Sequence, residues 1–322
     1  MKVTAALLLA GMAFGVSLTA SAAQAEELRI ATQPIPLYAP LYVAKNKKWL
    51  DEELAKSSPG TTAKFSTFAA GAPINESFAA GQQDIGLLGD TPTIIGNAAG
   101  IERKIIAKTS DGPKTIAVIV GYDSPIHSPK ELKGKKVAVP KATYTEHLLS
   151  LVLEQNGLTL KDVEQINLPN AEVGPAIIAG SVDAGAVWEP ALTRFESQKA
   201  VRVLADGTGL KTGLLAIVAT PEAISGKREA LKAFLRAYVR GAEFIRTNPH
   251  EAAQLVSADV NLPPDLTEAV FAKLNFSPAL TDGDVAEFKK TEGYIYSIGL
   301  IKNRVDVDAI IDRSVAAEAG LK

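Results

Sequence analysis

The run Ile85-Gly86-Leu87-Leu88-Gly89-Asp90-Thr91-Pro92 changes character at its midpoint. Its first half is a short continuous apolar segment of strand length, and Thr91-Pro92 opens a helix reaching Ala99, because proline in the first helical turn gives up an N–H that has no partner there. The same unit recurs on either side. Upstream, Leu28 to Ala31 is a strand, a Pro-rich loop runs from Gln33 to Pro36, and a helix is expected from Pro40 to Leu54. A second strand near Ala63 to Phe68 meets Gly71-Ala72-Pro73, which opens a helix to Ala80. Downstream, Ile105 to Lys108 is a fourth strand. Short strands alternating with helices imply right-handed crossovers and a parallel sheet.

Asp111-Gly112-Pro113 breaks the alternation, and Ile116 to Val120 is expected to bridge two lobes. The pattern then restarts with strands at Val137 to Val139, Val163 to Ile166 and Ala184 to Trp188, and a helix from Thr145 to Asn156 closed by Gly157. Leu214 to Ala219 is the expected return crossing. From Pro221 the chain is mostly helical, including Glu229 to Thr247, Pro249 to Ser257 and Val285 to Ser297. A chain of 322 residues with 47% hydrophobic residues exceeds one compact core, so two lobes are expected. The first is discontinuous, 26–113 with 214–322; the second, with the hinge crossings, is 114–213.

Residues 1–25 form a secretory signal: Lys2, an apolar core from Leu7 to Val16 too short for a stable membrane span, and Ala23-Gln24-Ala25 as a cleavage site. Cleavage after Ala25 would release a soluble protein into an exported compartment, most simply a bacterial periplasm. With 34 Lys and Arg against 36 Asp and Glu, the chain has no generic attraction for nucleic acid. The absence of cysteine excludes disulfides, thiolate nucleophiles, zinc-cysteine sites and iron-sulfur clusters. Three scattered histidines, His127, His147 and His250, make metal and proton-shuttle chemistry improbable. No nucleophile elbow, phosphate loop or dinucleotide fingerprint is present. No catalytic residue, metal or cofactor is therefore expected.

Ligands of open α/β sheets lie beyond the carboxyl ends of the strands, where helix N-termini point into the crevice. Three openings suit that role: Gly71-Ala72-Pro73, Asp90-Thr91-Pro92, and Lys141-Ala142-Thr143-Tyr144-Thr145-Glu146. Taken singly, each is an ordinary cap, and Thr143 with Glu146 reads as a capping box. Converging from both lobes, they would offer unpaired N–H groups and positive dipole ends to a small anion. Each helix end contributes only about 0.3–1 kcal/mol, while micromolar binding needs roughly 8 kcal/mol. Direct hydrogen bonds and apolar packing must supply the rest, with Tyr38 and Trp188 as candidates. Asp90 and Glu189 oppose a pure anion site; either they are partners for an ammonium on the ligand or they face solvent. His147 reads as a polar face residue.

The sequence resembles the periplasmic solute-binding proteins of ABC importers for nitrate, taurine and aliphatic sulfonates. The resemblance runs through Tyr38-Ala39-Pro40-Leu41-Tyr42-Val43-Ala44, Gly71-Ala72-Pro73 and Asp84-Ile85-Gly86 with Gly89-Asp90-Thr91-Pro92. It continues through Leu132 to Pro140, Thr143-Tyr144-Thr145, Pro175 to Gly180 and Val182-Asp183-Ala184 with Trp188-Glu189-Pro190. It implies a type II periplasmic-binding fold, two α/β lobes with central mixed, mainly parallel sheets and a two-segment hinge, acting as a monomer that delivers ligand to a membrane permease. By position it places the anionic head group against Ala72, Thr91, Thr143, Tyr144 and Thr145, with Gln33, Tyr38 and Trp188 lining the rest. Taurine binders of the family hold the amine with a carboxylate near the return crossing, where this chain has Leu214 and Leu215. That departure favours an alkyl sulfonate over taurine unless Asp90 or Glu189 substitutes. Nitrate, a pyrimidine precursor, or an enzyme on the same scaffold are the other readings, and the family's enzymes depend on cysteine.

Overall fold

A computed structural model describes residues 26–321; the expected signal and its cleavage site lie outside the described residues. The chain builds two five-stranded mixed sheets. The first contains β1 (Glu26–Thr32), β2 (Thr61–Thr67), β3 (Ile85–Gly89), β4 (Lys104–Ser110) and β10 (Leu215–Ala219), in the order β2-β1-β3-β10-β4. The second contains β5 (Ile116–Gly121), β6 (Lys136–Ala138), β7 (Glu164–Ile166), β8 (Ala184–Trp188) and β9 (Val201–Asp206), in the order β7-β6-β8-β5-β9. β1 runs parallel to β2 and β3, and β6 runs parallel to β7 and β8. The reversed strand of each sheet, β10 or β5, follows a crossing between the lobes and pairs antiparallel to both neighbours.

This corrects two expectations. Ile116–Val120 and Leu215–Ala219 do not bridge the lobes; they are β5 and β10, flanked on both sides within their sheets. Every residue of Leu215–Ala219 is buried, as are the first five of β5, and such continuous apolar runs belong inside a sheet. The crossings are the polar, glycine-bearing segments 111–115 and 207–214. They are tied to one another by backbone bonds, Gly207 N to Pro113 O at 2.9 Å and Gly213 N to Gly112 O at 3.3 Å. Glycine is required at this close approach: a Cβ on Gly112 would lie 2.3 Å from the Lys273 carbonyl oxygen, and one on Gly207 would lie 2.1 Å from that of Lys211.

The helices fall close to their expected places. The helix expected from Pro40 to Leu54 is split into Ala39–Asn46 and Trp49–Ser57, because Lys48 takes a left-handed conformation, φ 62°, between them. β9 and the Asn170–Ile178 and Ala191–Ser197 helices were not anticipated. Arg228–Thr247 is a 20-residue amphipathic helix whose apolar face closes the first core. It crosses Ala39–Asn46 closely enough that a Cβ on Gly241 would meet the Pro40 carbonyl oxygen at 2.1 Å. Backbone cannot yield there as a flexible side chain would, so Gly241→Val should cost at least about 2 kcal/mol. Urea unfolding checks this; a loss under 0.5 kcal/mol would show the two helices free to separate.

Candidate functional site

Three helices begin at one small cavity on the seam between the lobes. Their N-cap residues are Ala70, ahead of Gly71–Ala79; Gly89, ahead of Asp90–Ala98; and Thr143, ahead of Tyr144–Gln155. All three line the cavity, which holds about 40 Å³. The first two come from the first lobe and the third from the second, so positive helix ends meet from both sides. At the second opening the Asp90 amide goes to the Leu214 carbonyl oxygen at 3.2 Å, the Thr91 amide goes to Asp90 Oδ1 and Pro92 has no N–H, so that helix contributes its dipole and not a free donor. Gln33, Tyr38, Tyr144 and Trp188 complete the polar and aromatic wall, while Ile35, Pro92 and Leu215 supply apolar surface. None of the lining side chains carries a charge. A larger hollow of about 470 Å³ lies against Arg236 and Arg240, but both arginines there are already paired with Glu53.

Local chemistry fixes each part of the wall. The Gln33 side-chain amide donates to the Tyr38 hydroxyl at 3.2 Å, and the Tyr42 hydroxyl donates to the Gln33 carbonyl oxygen at 2.6 Å. Tyr38 and Tyr144 are pushed well above the usual phenol range, chiefly by burial, and Tyr42 is pushed up to about 12 for the same reason. All three therefore remain neutral hydroxyls at ordinary pH. Thr143 donates to the Pro140 carbonyl oxygen at 2.6 Å and shares a hydrogen bond with Thr145 at 2.9 Å. It also caps its helix by accepting from Glu146 N, whereas the Glu146 carboxylate takes the Ala142 amide at 2.8 Å. Ala142 holds φ 60°, a left-handed conformation costly for a residue with a Cβ, at the turn that aims this opening. The Tyr144 ring reaches across the seam: a Cβ on Gly89 would lie 3.2 Å from Tyr144 Cδ1. On its own side it packs against Trp188, ring centroids 5.7 Å apart.

The structure thus brings Gln33, Tyr38, Thr143, Tyr144 and Trp188 together at the cavity. It places three other expected contacts differently. Ala72 is exposed beside the first opening. Thr145 is fully buried behind Thr143. Thr91 is also fully buried, with its amide and hydroxyl both donating to Asp90 Oδ1, at 2.6 and 3.1 Å, so its donors serve an internal carboxylate.

Asp90 and Glu189 face neither solvent nor the cavity; both are wholly buried and held by lysines. Lys211 donates to Asp90 at 2.6 Å, to Glu287 at 3.1 Å and to Thr291 at 3.0 Å. Burial opposes the Asp90 charge, but Lys211 outweighs it and holds the carboxyl below its ordinary range. Lys273 donates to Glu189 at 2.7 Å and to Glu196 at 3.2 Å; here burial prevails and the Glu189 carboxyl is raised. Neither lysine carries a signal in the sequence, since each is a lone cation without periodic context.

His147 is also missed as a seam residue. Its ring stacks on Tyr294 of the Asp282–Ser297 helix, centroids 3.9 Å apart and 1° from parallel. Burial, then Lys211, pulls its pKa down to about 3, and among the described residues Nδ1 has no partner.

The comparisons with known proteins agree with this fold. The lobes and their reversed strands define a two-lobe α/β protein of the periplasmic-binding type. Residues 35–252 match the family model described as NMT1/THI5 like, and the chain belongs to that family. It is 31% identical to a putative aliphatic sulfonates-binding protein of Bacillus subtilis, over 92% of this chain and 89% of that one. It is 30% identical to the protein of the same description in Escherichia coli, over 94% and 93%. Among solved structures, the alkanesulfonate-binding protein of Xanthomonas axonopodis pv. citri bound to MOPS superposes with a TM-score of 0.79 at 25% identity, covering 91% of this chain and all of that one. A desulfurization enzyme at 15% identity, TM-score 0.70, shares the fold alone.

Lys211→Met strands Asp90 without its cation and should cost about 3–5 kcal/mol in urea unfolding, much of it regained in the Asp90→Asn, Lys211→Met double variant. A single-variant loss under 1 kcal/mol would mean Asp90 finds another partner. For His147, the depressed native pKa means that stability is fully present above the unfolded value near 6.5 and is lost as pH falls from there toward 3. Between pH 7.5 and 5 this one group should remove about 2 kcal/mol, a loss absent from His147→Gln. Equal pH dependence in both proteins would contradict the burial argument.

Proposed function

We propose that this chain is the extracytoplasmic solute-binding component of an ABC importer, capturing an aliphatic sulfonate between its lobes and delivering it to membrane permease subunits. It acts as a monomer, exported and processed after Ala25, without catalysis. The lobes are 26–113 with 214–322, and 114–213, moving about the paired crossings. The observation that carries this reading is a cavity where three helix N-termini converge and no charged side chain is present. Such a wall suits an anion that is met by N–H and O–H dipoles, while Ile35, Leu215 and Trp188 receive an uncharged tail. Among the described residues no helix is long and apolar enough to cross a membrane, and the sulfonate-binding names of the relatives support the same substrate class.

The same observation separates the sulfonates from taurine. Taurine carries an ammonium, and the two nearby carboxylates, Asp90 and Glu189, are already neutralised by Lys211 and Lys273. Buried beside helix N-termini without a counter-charge, that ammonium costs more than its tail contacts return. Calorimetric titration should therefore give micromolar or tighter binding of 1-propanesulfonate and binding of taurine at least about tenfold weaker. Nitrate, with no tail, should also be weaker. Taurine binding as tightly as propanesulfonate would refute the neutral-cavity argument, and no heat with any sulfonate would refute the function.

A further inference from the structure

We infer that Asn170 is a positioning residue for recognition of the ligand's tail: its side-chain amide clamps the backbone of Trp188 and so fixes the indole in the cavity wall. This rests on the sulfonate-binding reading above. Asn170 opens the helix Asn170–Ile178, which packs on the strand it serves. Its Oδ1 accepts from the Trp188 amide at 3.0 Å, and its Nδ2 donates to the Trp188 carbonyl oxygen at 3.2 Å. Both backbone groups of one residue are thus taken by one side chain, in the manner of a neighbouring strand. The reason lies in the sheet. On one side Trp188 lies opposite Ile116 of β5, and the next amide, that of Glu189, donates to the Thr115 carbonyl oxygen on that same side at 3.0 Å. On the other side β6 has ended, its register with β8 running through Val137 with Ala184 and Ala138 with Gly185. The Asn170 amide completes the sheet at the residue of β8 that lines the cavity.

The helix that carries the clamp is seated tightly on β8. Val173, one turn along from Asn170, is fully buried, and glycine at 185 makes room for it, since a Cβ there would fall on the Val173 side chain. A Cβ on Gly174 would likewise fall on the Phe195 ring. The helix is therefore held in register against the strand, which delivers the Asn170 amide to Trp188. From that fixed backbone the indole packs on Tyr144, and Tyr144 in turn lies on Gly89 of the opposite lobe. An indole whose backbone is free to shift has to be ordered when a tail arrives, and ordering a side chain weakens binding. That loss falls only on a ligand long enough to reach the ring.

The test measures 1-propanesulfonate and methanesulfonate by calorimetry with wild type, Asn170→Ala, Trp188→Leu and the double variant. Wild type should bind propanesulfonate the more tightly. Asn170→Ala should bind propanesulfonate about fivefold less tightly, the scale of ordering one side chain on binding, with methanesulfonate within about twofold of wild type. In the Trp188→Leu background the same substitution should change propanesulfonate affinity by less than about twofold, because its effect runs through the indole. If Asn170→Ala does not fold, Asn170→Ser, whose hydroxyl cannot span both backbone groups, takes its place with the same expectations. Propanesulfonate affinity within twofold of wild type overturns the inference, as does equal affinity of the wild type for the two ligands. So does an equal loss for both ligands, which assigns the effect to the packing of the lobe, or an undiminished loss once the indole is gone. Those results leave the sulfonate reading standing, whereas a wild-type chain that binds neither sulfonate sinks both.

Discussion

Lys211 and Asp90 meet with both side chains fully shielded from solvent, 2.6 Å apart, at the point where the return crossing passes the end of β3. An ion pair so deep is costly to bury and costly to break, so it persists only where its bonds are nearly complete. Here they are. Asp90 also receives the Thr91 amide, the Thr91 hydroxyl and the Thr291 hydroxyl, while Lys211 reaches Glu287 and Thr291 as well. The pair joins the hinge, the second helix opening and the Asp282–Ser297 helix in one network. The second lobe repeats the device at the end of β8, where Glu189 takes Thr193 and Lys273. Lys273 comes from the C-terminal part of the chain, and its own carbonyl oxygen presses on the crossing at Gly112.

The consequence for recognition is a cavity from which net charge has been removed. Each strand-end carboxylate is turned inward and neutralised, leaving hydroxyls, rings and helix N-termini as the wall. Three helix ends, at about 0.3–1 kcal/mol each and up to about 2 when partly buried, fall short of the roughly 8 kcal/mol of micromolar binding. On the proposed function the difference has to come from the buried phenols and from apolar contact with the tail, since the Thr143 hydroxyl is already committed to the Pro140 carbonyl oxygen. Tyr144 is central to this, because it starts the second-lobe helix yet packs on Gly89 of the first lobe. With only about 40 Å³ between the walls, the proposed capture of a ligand there requires the lobes to part along that contact.

Much of the fold was legible because strand and helix alternate with clean punctuation. The convergence of Gly71, Gly89 and Thr143 followed from the rule that parallel sheets present helix openings at their carboxyl ends. The two crossings were misplaced by one step, since an apolar run such as Leu214 to Ala219 looks the same whether it spans a gap or fills a sheet. Only its neighbours, β3 and β4, decide. Asp90 and Glu189 were recognised as an electrostatic problem, but their solution was illegible: Lys211 lies 121 residues from Asp90 and Lys273 lies 84 from Glu189. The burial of Thr91 is illegible for the same reason, because nothing in its local motif reveals that the adjacent carboxylate takes its donors. The pairing of His147 with Tyr294 depends on tertiary contact across the seam and has no local signal.

A crystal structure of the complex with 1-propanesulfonate tests the account most directly. It should show the sulfonate between the helix openings at Ala70, Gly89 and Thr143, with Asp90 still on Lys211 and Glu189 still on Lys273. A sulfonate bound elsewhere, or either carboxylate swung off its lysine toward the ligand, would contradict it.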